Sequence, residues 1–235
     1  MANTFGYKIG WMAVKTDAPE SIIDPIGLND FSAVGWNEGI QAAYKGKLFI
    51  TPVLNGWVQL VGDCDPVLEG YFKGHMMEPN PDYVNELLYY GMAQMSTIFA
   101  EVQFFYSHRT SGTYTYAKAN EGKILRAFYL DLHSGNRHEI GEPSDLEIYH
   151  GGTQIDGLWE KCVEDLGEDL PSFMAGQWSI DPHTFNEPKW EWLEKANGLL
   201  FNGESETSRL NREYWENFKK ELDLRFPDKR TESNT

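Results

Sequence analysis

EVQFFYSHRTSGTYTYAKANEGKILRAFYLDL, residues 101–132, is the most regular stretch of the chain. Apolar and polar residues alternate in three runs, EVQFFYSH, TYTYAKA and KILRAFYLDL, which are separated by Thr-Ser-Gly and Asn-Glu-Gly. Alternation with a period of two residues is typical of β-strands, and short loops containing glycine join antiparallel strands. The stretch therefore predicts a three-stranded antiparallel meander.

Upstream of the meander, predicted strands and helices follow one another. In chain order the patterns predict a strand at 10–16, a helix capped by Asp17, a short helix at 36–44, strands at 47–54 and 57–63, and a helix at 81–100. Asn55-Gly56 between the two later strands is a strong hairpin signal. With the first meander strand, this order is that of the ferredoxin-like split βαβ unit. We therefore predict an α+β fold, with a ferredoxin-like βαββαβ core extended by the meander.

The C-terminal half is predicted to be mostly helical and to cover the sheet face that the core helices leave open. NEPKWEWLEKANG, for example, starts with an asparagine cap and a first-turn proline and ends at Gly198. The predicted organisation is a sheet core at 1–135, a helical acidic extension packed on it at 136–227, and a disordered tail at 228–235.

The net charge of −16 over 235 residues restricts the classes of partner. Residues 1–130 contain 13 acidic and 9 basic residues, whereas residues 131–235 contain 23 acidic and 11 basic ones. A field of this sign repels nucleic acids and anionic membranes, and it attracts basic proteins. We expect no nucleic-acid or membrane partner, and we expect the C-terminal half to attract a basic protein.

Other features of the sequence favour a cytoplasmic protein. The two cysteines, Cys64 and Cys162, have no CxxC spacing, which is typical of a reducing compartment. The first residues lack the basic region and apolar run of a signal peptide. No apolar stretch approaches the ~20 residues that a membrane helix needs.

No motif for a metal or a cofactor is found in the sequence. The six histidines lack the spacing of metal-binding motifs, and neither a dinucleotide-binding glycine motif nor a P-loop is present. A GxSxG nucleophile motif is also absent. We therefore predict neither a metal site nor a cofactor.

His108 and Arg109, at the end of the first meander strand, allow two interpretations. In an enzyme or a small-molecule binding protein, His108 is a general base, Arg109 binds an anion, and Tyr114 and Arg126 complete the pocket. In the simpler interpretation, the His-Arg pair is the rim of a packed sheet: its apolar stems lean on neighbouring rings and its polar ends reach solvent. Cross-strand pairing is then expected to bring Arg126 close to it. The simpler interpretation is favoured.

The acidic run EDLGEDLP, residues 164–171, is the second candidate site. It follows a predicted helix that carries Trp159. Such a run is usually a solvated face, but a basic partner docking here would gain association rate from charge and affinity from aromatic anchors. The residues predicted to bind the partner are Trp159, Glu164, Asp165, Glu168 and Asp169.

Five segments also carry a resemblance to a known group of proteins: GWMAVKT, LNGWVQLVGD, EVQFFYSHR, GKILRAF and AGQWSIDP, in this order. Over roughly residues 10–185, the chain resembles a group of uncharacterised bacterial cytoplasmic proteins associated with the acidic immunity proteins of toxin systems. The resemblance implies an immunity-type protein that neutralises a basic toxin or enzyme by steric and electrostatic occlusion. It implies no catalytic residues, because the shared motifs are those of strands.

Overall fold

The computed structural model describes residues 1–71, 83–151 and 166–204, together with positions 209, 210, 213, 216 and 220. The predictions for Trp159, Glu164 and Asp165, and for the tail at 228–235, lie outside these residues.

Within the described residues, nine strands form one sheet. The strands are β1 Ile9–Lys15, β2 Phe31–Gly35, β3 Leu48–Ile50, β4 Trp57–Gly62, β5 Val102–His108, β6 Thr113–Asn120, β7 Lys123–Asp131, β8 Asn136–Ile140 and β9 Asn197–Phe201. The α-helices are α1 Glu20–Ile23, α2 Trp36–Ala43, α3 Asp65–Tyr71, α4 Tyr83–Ser96, α5 Asp145–Gly151 and α6 Leu170–Trp178. The 3-10 segments found among the described residues are Asp24–Ile26, Gly167–Asp169, Pro182–Asn186 and Pro188–Lys195.

The meander predicted over residues 101–132 is confirmed as β5, β6 and β7. Each strand pairs antiparallel with the next, with one irregularity between Lys118 and Ala119. The loop between β6 and β7 consists of Glu121 and Gly122, whose φ angles of 48° and 78° lie in the left-handed region that tight hairpins require. Strand β8 pairs antiparallel with β7 and extends the meander by one strand.

The full strand order is β2-β9-β3-β4-β1-β5-β6-β7-β8, and all neighbours pair antiparallel. Strand β1 lies between β4 and β5 and so joins the meander to the rest of the sheet. The predicted hairpin at Asn55 and Gly56 is present with φ angles of 50° and 81°. The protein is therefore α+β, with a large antiparallel sheet and several helices.

The two faces of the sheet differ in their share of aromatic side chains. The aromatic face is defined by Trp11, Trp36, Phe105, Tyr116, Phe128, Phe185 and Trp190. It is covered by α2, α6 and the last two 3-10 segments, which contribute several of these residues and others of the same cluster. The aliphatic face is defined by Met12, Val14, Ile22, Leu60, Leu88, Met92 and Val102, and it is covered by α1, α3 and α4.

Phe49 shows how closely the aromatic face is packed. A Cβ atom added to Gly39 of α2 would lie 2.2 Å from the Phe49 ring, and one added to Gly198 of β9 would lie 2.5 Å from it. Real Cβ atoms essentially never approach another atom so closely. Glycine at both positions therefore lets α2 and β9 lie directly against this ring.

The structure differs from the prediction of a helical C-terminal half, because β8 and β9 are strands of the sheet inside the range 136–227. In NEPKWEWLEKANG, a 3-10 segment replaces the predicted α-helix and buries Trp190 and Leu193, three residues apart, as this helix type requires. The chain becomes extended at Asn197, where β9 pairs with β2 on one side and β3 on the other. These pairings satisfy backbone groups that would otherwise lie at open strand edges.

Candidate functional site

His108 is the last residue of β5. It lies an even number of positions from Val102, so its side chain is on the same side of the sheet as the aliphatic face. Its Nδ1 accepts the backbone N–H of Ser111 at 3.2 Å and lies 2.9 Å from the Ser111 hydroxyl. Its ring stacks on Tyr106 with the centroids 6.2 Å apart. These local contacts are those of a residue that closes the turn after β5.

Tyr114 and Arg126 lie on the opposite side of the sheet from His108. Each lies two positions from a residue of the aromatic face, Tyr114 from Tyr116 and Arg126 from Phe128, so both side chains are on that face. The expected nearness of Arg126 to His108 is wrong, because the register places Thr113 opposite His108 and Asp131 opposite Thr113. The four residues of the predicted small-molecule pocket therefore do not converge on one cavity.

Arg126 instead organises a buried ion network with Glu147 of α5. Its Nε donates to Glu147 Oε1 at 3.0 Å, and its Nη2 donates to the same oxygen at 2.7 Å and to Glu139 Oε2 at 3.0 Å. Its Nη1 donates to the carbonyls of Ile140 and Gly141 at 3.2 and 3.0 Å. Burial alone would lower the pKa of Arg126, but the bonds to Glu147 outweigh it and the pKa is raised. The guanidinium is held as a structural cation.

The other side of this network anchors α5. Glu147 is 1% exposed, accepts the Tyr116 hydroxyl at 2.5 Å, and accepts the Ser144 backbone N–H at 2.5 Å. Ser144 in turn accepts the Glu147 N–H at 3.4 Å, so the two residues form a reciprocal cap at the start of α5. The two oxygens of the buried Glu147 carboxylate accept from β6, β7 and the residue before α5, so the arrangement serves to attach α5 to β6 and β7.

Glu168 and Asp169 are the two predicted partner-binding residues that the structure describes, and both are half-buried at the entrance to α6. Glu168 pairs with Arg109, with Nη1 and Oε1 3.2 Å apart. Asp169 accepts the Tyr7 hydroxyl at 2.5 Å. Arg109, which was predicted to form a pocket with His108, therefore contacts the acidic run instead.

Aromatic rings surround these carboxylates. Tyr7 and Tyr44 are 40% and 46% exposed, and burial raises the pKa of Tyr44 although the nearby backbone N–H groups of Gly6 and Tyr7 oppose the shift. The His183 ring stacks on Tyr7 with the centroids 4.5 Å apart. Burial and the bond to Asp169 raise the pKa of Tyr7, so its hydroxyl stays protonated and donating at neutral pH. We call Tyr7, Tyr44, Glu168, Asp169 and His183 the acidic-aromatic surface.

Sequence reasoning did not identify Tyr7, Tyr44 or His183 as site residues. Tyr7 and Asp169 are 162 positions apart, and no local pattern indicates a contact over such a distance. The acidic run provided the only signal for this surface, and it pointed to Glu168 and Asp169 alone.

Ser172, His183 and Asp181 form a second arrangement that the sequence did not indicate. Ser172 Oγ lies 3.4 Å from His183 Nε2, and His183 Nδ1 lies 3.7 Å from Asp181 Oδ1. The second distance is too long for a hydrogen bond. Ser172 is 1% exposed, and a Cβ at Gly6 would lie 2.7 Å from its hydroxyl, so the backbone of Gly6 covers it. A buried, covered serine cannot attack a substrate, and these residues fix the N-terminal segment against α6.

The residues that the structure describes include no group of three or more histidine, cysteine or acidic side chains that could hold a metal ion. Among the same residues, no helix has the length and apolar character needed to cross a membrane. Comparison of the chain with protein-family models, curated proteins and solved structures finds no match.

Proposed function

We propose that the protein is a binding protein of the immunity type, which neutralises a basic toxin or enzyme by covering its active site. The observation that carries the proposal is the acidic-aromatic surface, where two carboxylates lie beside exposed rings. Tyrosines are enriched among the residues that contribute most to binding energy in protein interfaces. Complementary charge accelerates association and sets specificity.

The existing contacts of the two carboxylates suit an exchange of partners. The Arg109 side chain is 67% exposed, so a lysine or arginine of the bound protein can replace it at Glu168 without leaving a buried charge unpaired. At Asp169 the incoming cation would replace the Tyr7 hydroxyl, which leaves that ring free to pack against the partner. In the unbound protein these bonds hold the carboxylates in place, which lowers the entropy cost of binding.

The net charge supports the same partner class. A charge of −16 steers cationic surfaces toward the molecule from beyond contact distance. It opposes binding to nucleic acids and anionic membranes, and we propose that the protein acts in the cytoplasm. Trp159, Glu164 and Asp165 remain part of the proposed interface as residues outside the described ranges.

A rigid scaffold for this surface is the second part of the proposal. We retain the ferredoxin-like description of the core, which the neighbour order β3-β4-β1-β5 supports together with α1 and α4 on one face. In that description the aromatic face is the one that α6 covers, and α6 carries Asp169 at its start. The acidic-aromatic surface would then be fixed by the core.

The test uses the intact chain and the basic protein encoded beside its gene. Association is measured by stopped-flow fluorescence at 50 and 500 mM salt, together with inhibition of the partner's activity. We expect the association rate constant to fall by about tenfold or more at the higher salt, because screening removes the steering. The double variant Glu168→Gln/Asp169→Asn should reduce it several-fold at low salt, and Tyr7→Ala should raise the dissociation rate by about 30-fold.

The matched control is Glu20→Gln/Asp24→Asn, which removes two exposed carboxylates beside the aliphatic face. It removes the same number of negative charges, so it should lower the association rate constant at low salt less than Glu168→Gln/Asp169→Asn does, and it should leave the dissociation rate unchanged. Equal effects of the two double variants would show that only net charge matters and would refute the assigned surface. Absence of binding and inhibition with the neighbouring protein would refute the immunity function.

A further inference from the structure

A cavity of about 370 Å³ lies on the aliphatic side of the sheet, away from the acidic-aromatic surface. Its apolar walls are Leu68 of α3, Leu87 and Leu88 of α4, and the rings of Phe104, Tyr106 and Tyr129 on the meander. Small-molecule sites are typically cavities of roughly 300–1,000 Å³ with mostly apolar walls and a few polar groups. This cavity has the volume and the lining of such a site.

Gly10 of β1 keeps the cavity open. It lies opposite Tyr106 in the register and two positions from Met12, so it is on the aliphatic side of the sheet. A side chain at this position would therefore point into the cavity. A Cβ added here would be 3.4 Å from Tyr106 and 3.6 Å from Phe104, which are ordinary contact distances. The backbone could therefore carry a larger residue, and glycine leaves that space empty between the rings.

A carboxylate lies at one end of this apolar space. Asp63 and Asp65 both line the cavity where α3 begins. Among the described residues, the Asp65 carboxylate has no hydrogen-bond or ion-pair partner, although it is half-buried. Burial, followed by the charges of Asp63 and Glu69, raises the pKa of Asp65 to about 7. A ligand with a positive charge would supply the partner that this carboxylate lacks.

We propose that the cavity binds a small organic ammonium compound, with the apolar part between the rings of Phe104, Tyr106 and Tyr129 and the cationic group beside Asp65. Aromatic side chains offer a large apolar contact area to the carbon skeleton of the ligand, and a partly desolvated carboxylate gains most from a cation that carries its own apolar surface. This binding activity is separate from the proposed neutralisation of a basic protein, and either can be refuted without the other.

Other classes of ligand fit the cavity less well. An anion would be repelled by Asp63 and Asp65, which line the same cavity. A neutral apolar molecule would leave the charge of Asp65 without compensation in a drier environment. Ca²⁺ takes six to eight oxygen ligands, mainly from carboxylates, and the described residues include no group of three or more histidine, cysteine or acidic side chains that could hold a metal ion.

The test compares three compounds of similar size at pH 8: 2-phenylethylammonium, 2-phenylethanol and phenylacetate. Their binding to the intact chain is measured by isothermal titration calorimetry and by NMR shifts of the Thr113 and Thr115 methyl groups, since both threonines line the cavity. We expect the ammonium compound to bind at least about tenfold more tightly than the alcohol, and phenylacetate to bind more weakly than either. Binding of phenylacetate equal to that of the ammonium compound would overturn the proposal.

Two variants separate the roles of charge and space. Asp65→Asn should weaken binding of the ammonium compound by about tenfold and leave binding of the alcohol equal or stronger, because the neutral amide is no longer left as an uncompensated charge. Gly10→Val should weaken binding of both compounds by filling the cavity. Asp24→Asn, an exposed carboxylate on α1's 3-10 extension that does not line the cavity, is the matched control and should change neither. Far-ultraviolet circular dichroism establishes that each variant is folded. If folded wild-type protein binds none of the compounds at millimolar concentration, or if Asp65→Asn leaves the preference for the ammonium compound intact, the proposal fails.

Discussion

The aromatic and aliphatic faces of the sheet differ in whether their buried or half-buried charged side chains are paired. On the aromatic face, Arg126 and Glu147 are almost completely buried and bonded to each other and to neighbouring groups. On the aliphatic face, Asp65 faces a cavity and, within the described residues, has no partner. A paired buried charge fixes one arrangement of the elements around it, whereas an unpaired one leaves binding energy for a ligand.

The difference is not absolute, because the aromatic face also holds an unpaired polar group. The Gln59 side chain is fully buried, and its amide has no hydrogen-bond partner among the described residues. It lies opposite Ala13 on β1, far along the sheet from the Arg126 network. The contrast between the two faces therefore concerns charged groups, and the following changes test it.

Breaking the Arg126 network should have the largest effect. Arg126→Met leaves Glu147 as a buried carboxylate without its guanidinium, and we expect a loss of about 3–5 kcal/mol in the free energy of unfolding, measured by urea denaturation. The double variant Arg126→Met/Glu147→Leu removes both charges and should recover most of the loss. If the single and double variants are equally destabilised, the charges contribute no more than their packing does.

The tight contact on the aromatic face should be the next most sensitive. Gly39→Ala improves helix propensity in α2 but forces a methyl group against Phe49, so we expect a net destabilisation of about 1–3 kcal/mol. Gly35→Ala, at the N-cap of the same helix, has open space around the new methyl group and should cost less than about 1 kcal/mol. Thermal and urea denaturation of both variants measures the difference, and equal losses would contradict this packing.

Asp65→Asn should stabilise the protein in a pH-dependent way. Folding raises the pKa of this carboxyl from 3.8 to about 7, so the native state binds the proton more tightly than the unfolded state. Ionisation of Asp65 then weakens the native protein progressively as pH rises from about 4 to 7. Relative to wild type, the variant should gain about 1–2 kcal/mol at pH 8, after allowance for solvent screening, and almost nothing at pH 4. A gain that is equal at both pH values would show that the charge of Asp65 is not the cause.

The smallest effect is expected at the exposed pair between the two candidate sites. Arg109→Ala removes an ion pair with Glu168 in which the arginine is largely exposed, and such pairs contribute about 0–1 kcal/mol. We expect a change of less than about 0.5 kcal/mol in urea denaturation, and less still at high salt. A loss comparable to that of Arg126→Met would mean that the rim of the sheet is as important to stability as the buried network.

The sequence predicted the parts of the fold that depend on neighbouring residues. The meander could be inferred from 101–132 because alternation and turn glycines act within a few positions of one another. Strand β9 could not be inferred in this way, since its burial is created by pairing with β2 and β3, which are distant in sequence. The prediction of an α-helix in NEPKWEWLEKANG, the segment that leads into β9, was wrong for the same reason.

The candidate sites illustrate the same limit. Alternation along β5 already placed His108 on one face, but the register that sends Arg126 to the other depends on three paired strands. Glu168 and Asp169 stood out as an acidic run, whereas Tyr7 and His183 reach them only through the folded chain. The cavity was not predictable either, because Gly10 carries no pattern of its own and the space is defined by elements on both sides of it.

The position of β9 also has a consequence for biosynthesis. Ser32 of β2 bonds to Asn202 just after β9, a separation of 170 positions, so this side of the sheet stays incomplete until most of the chain has left the ribosome. Until then β2 and β3 expose unpaired edges, which are templates for association with other chains. Because β9 pairs with β2 and β3 only late in synthesis, folding is slow and the incomplete sheet is a substrate for chaperones. Expression yield should therefore be sensitive to changes in β9.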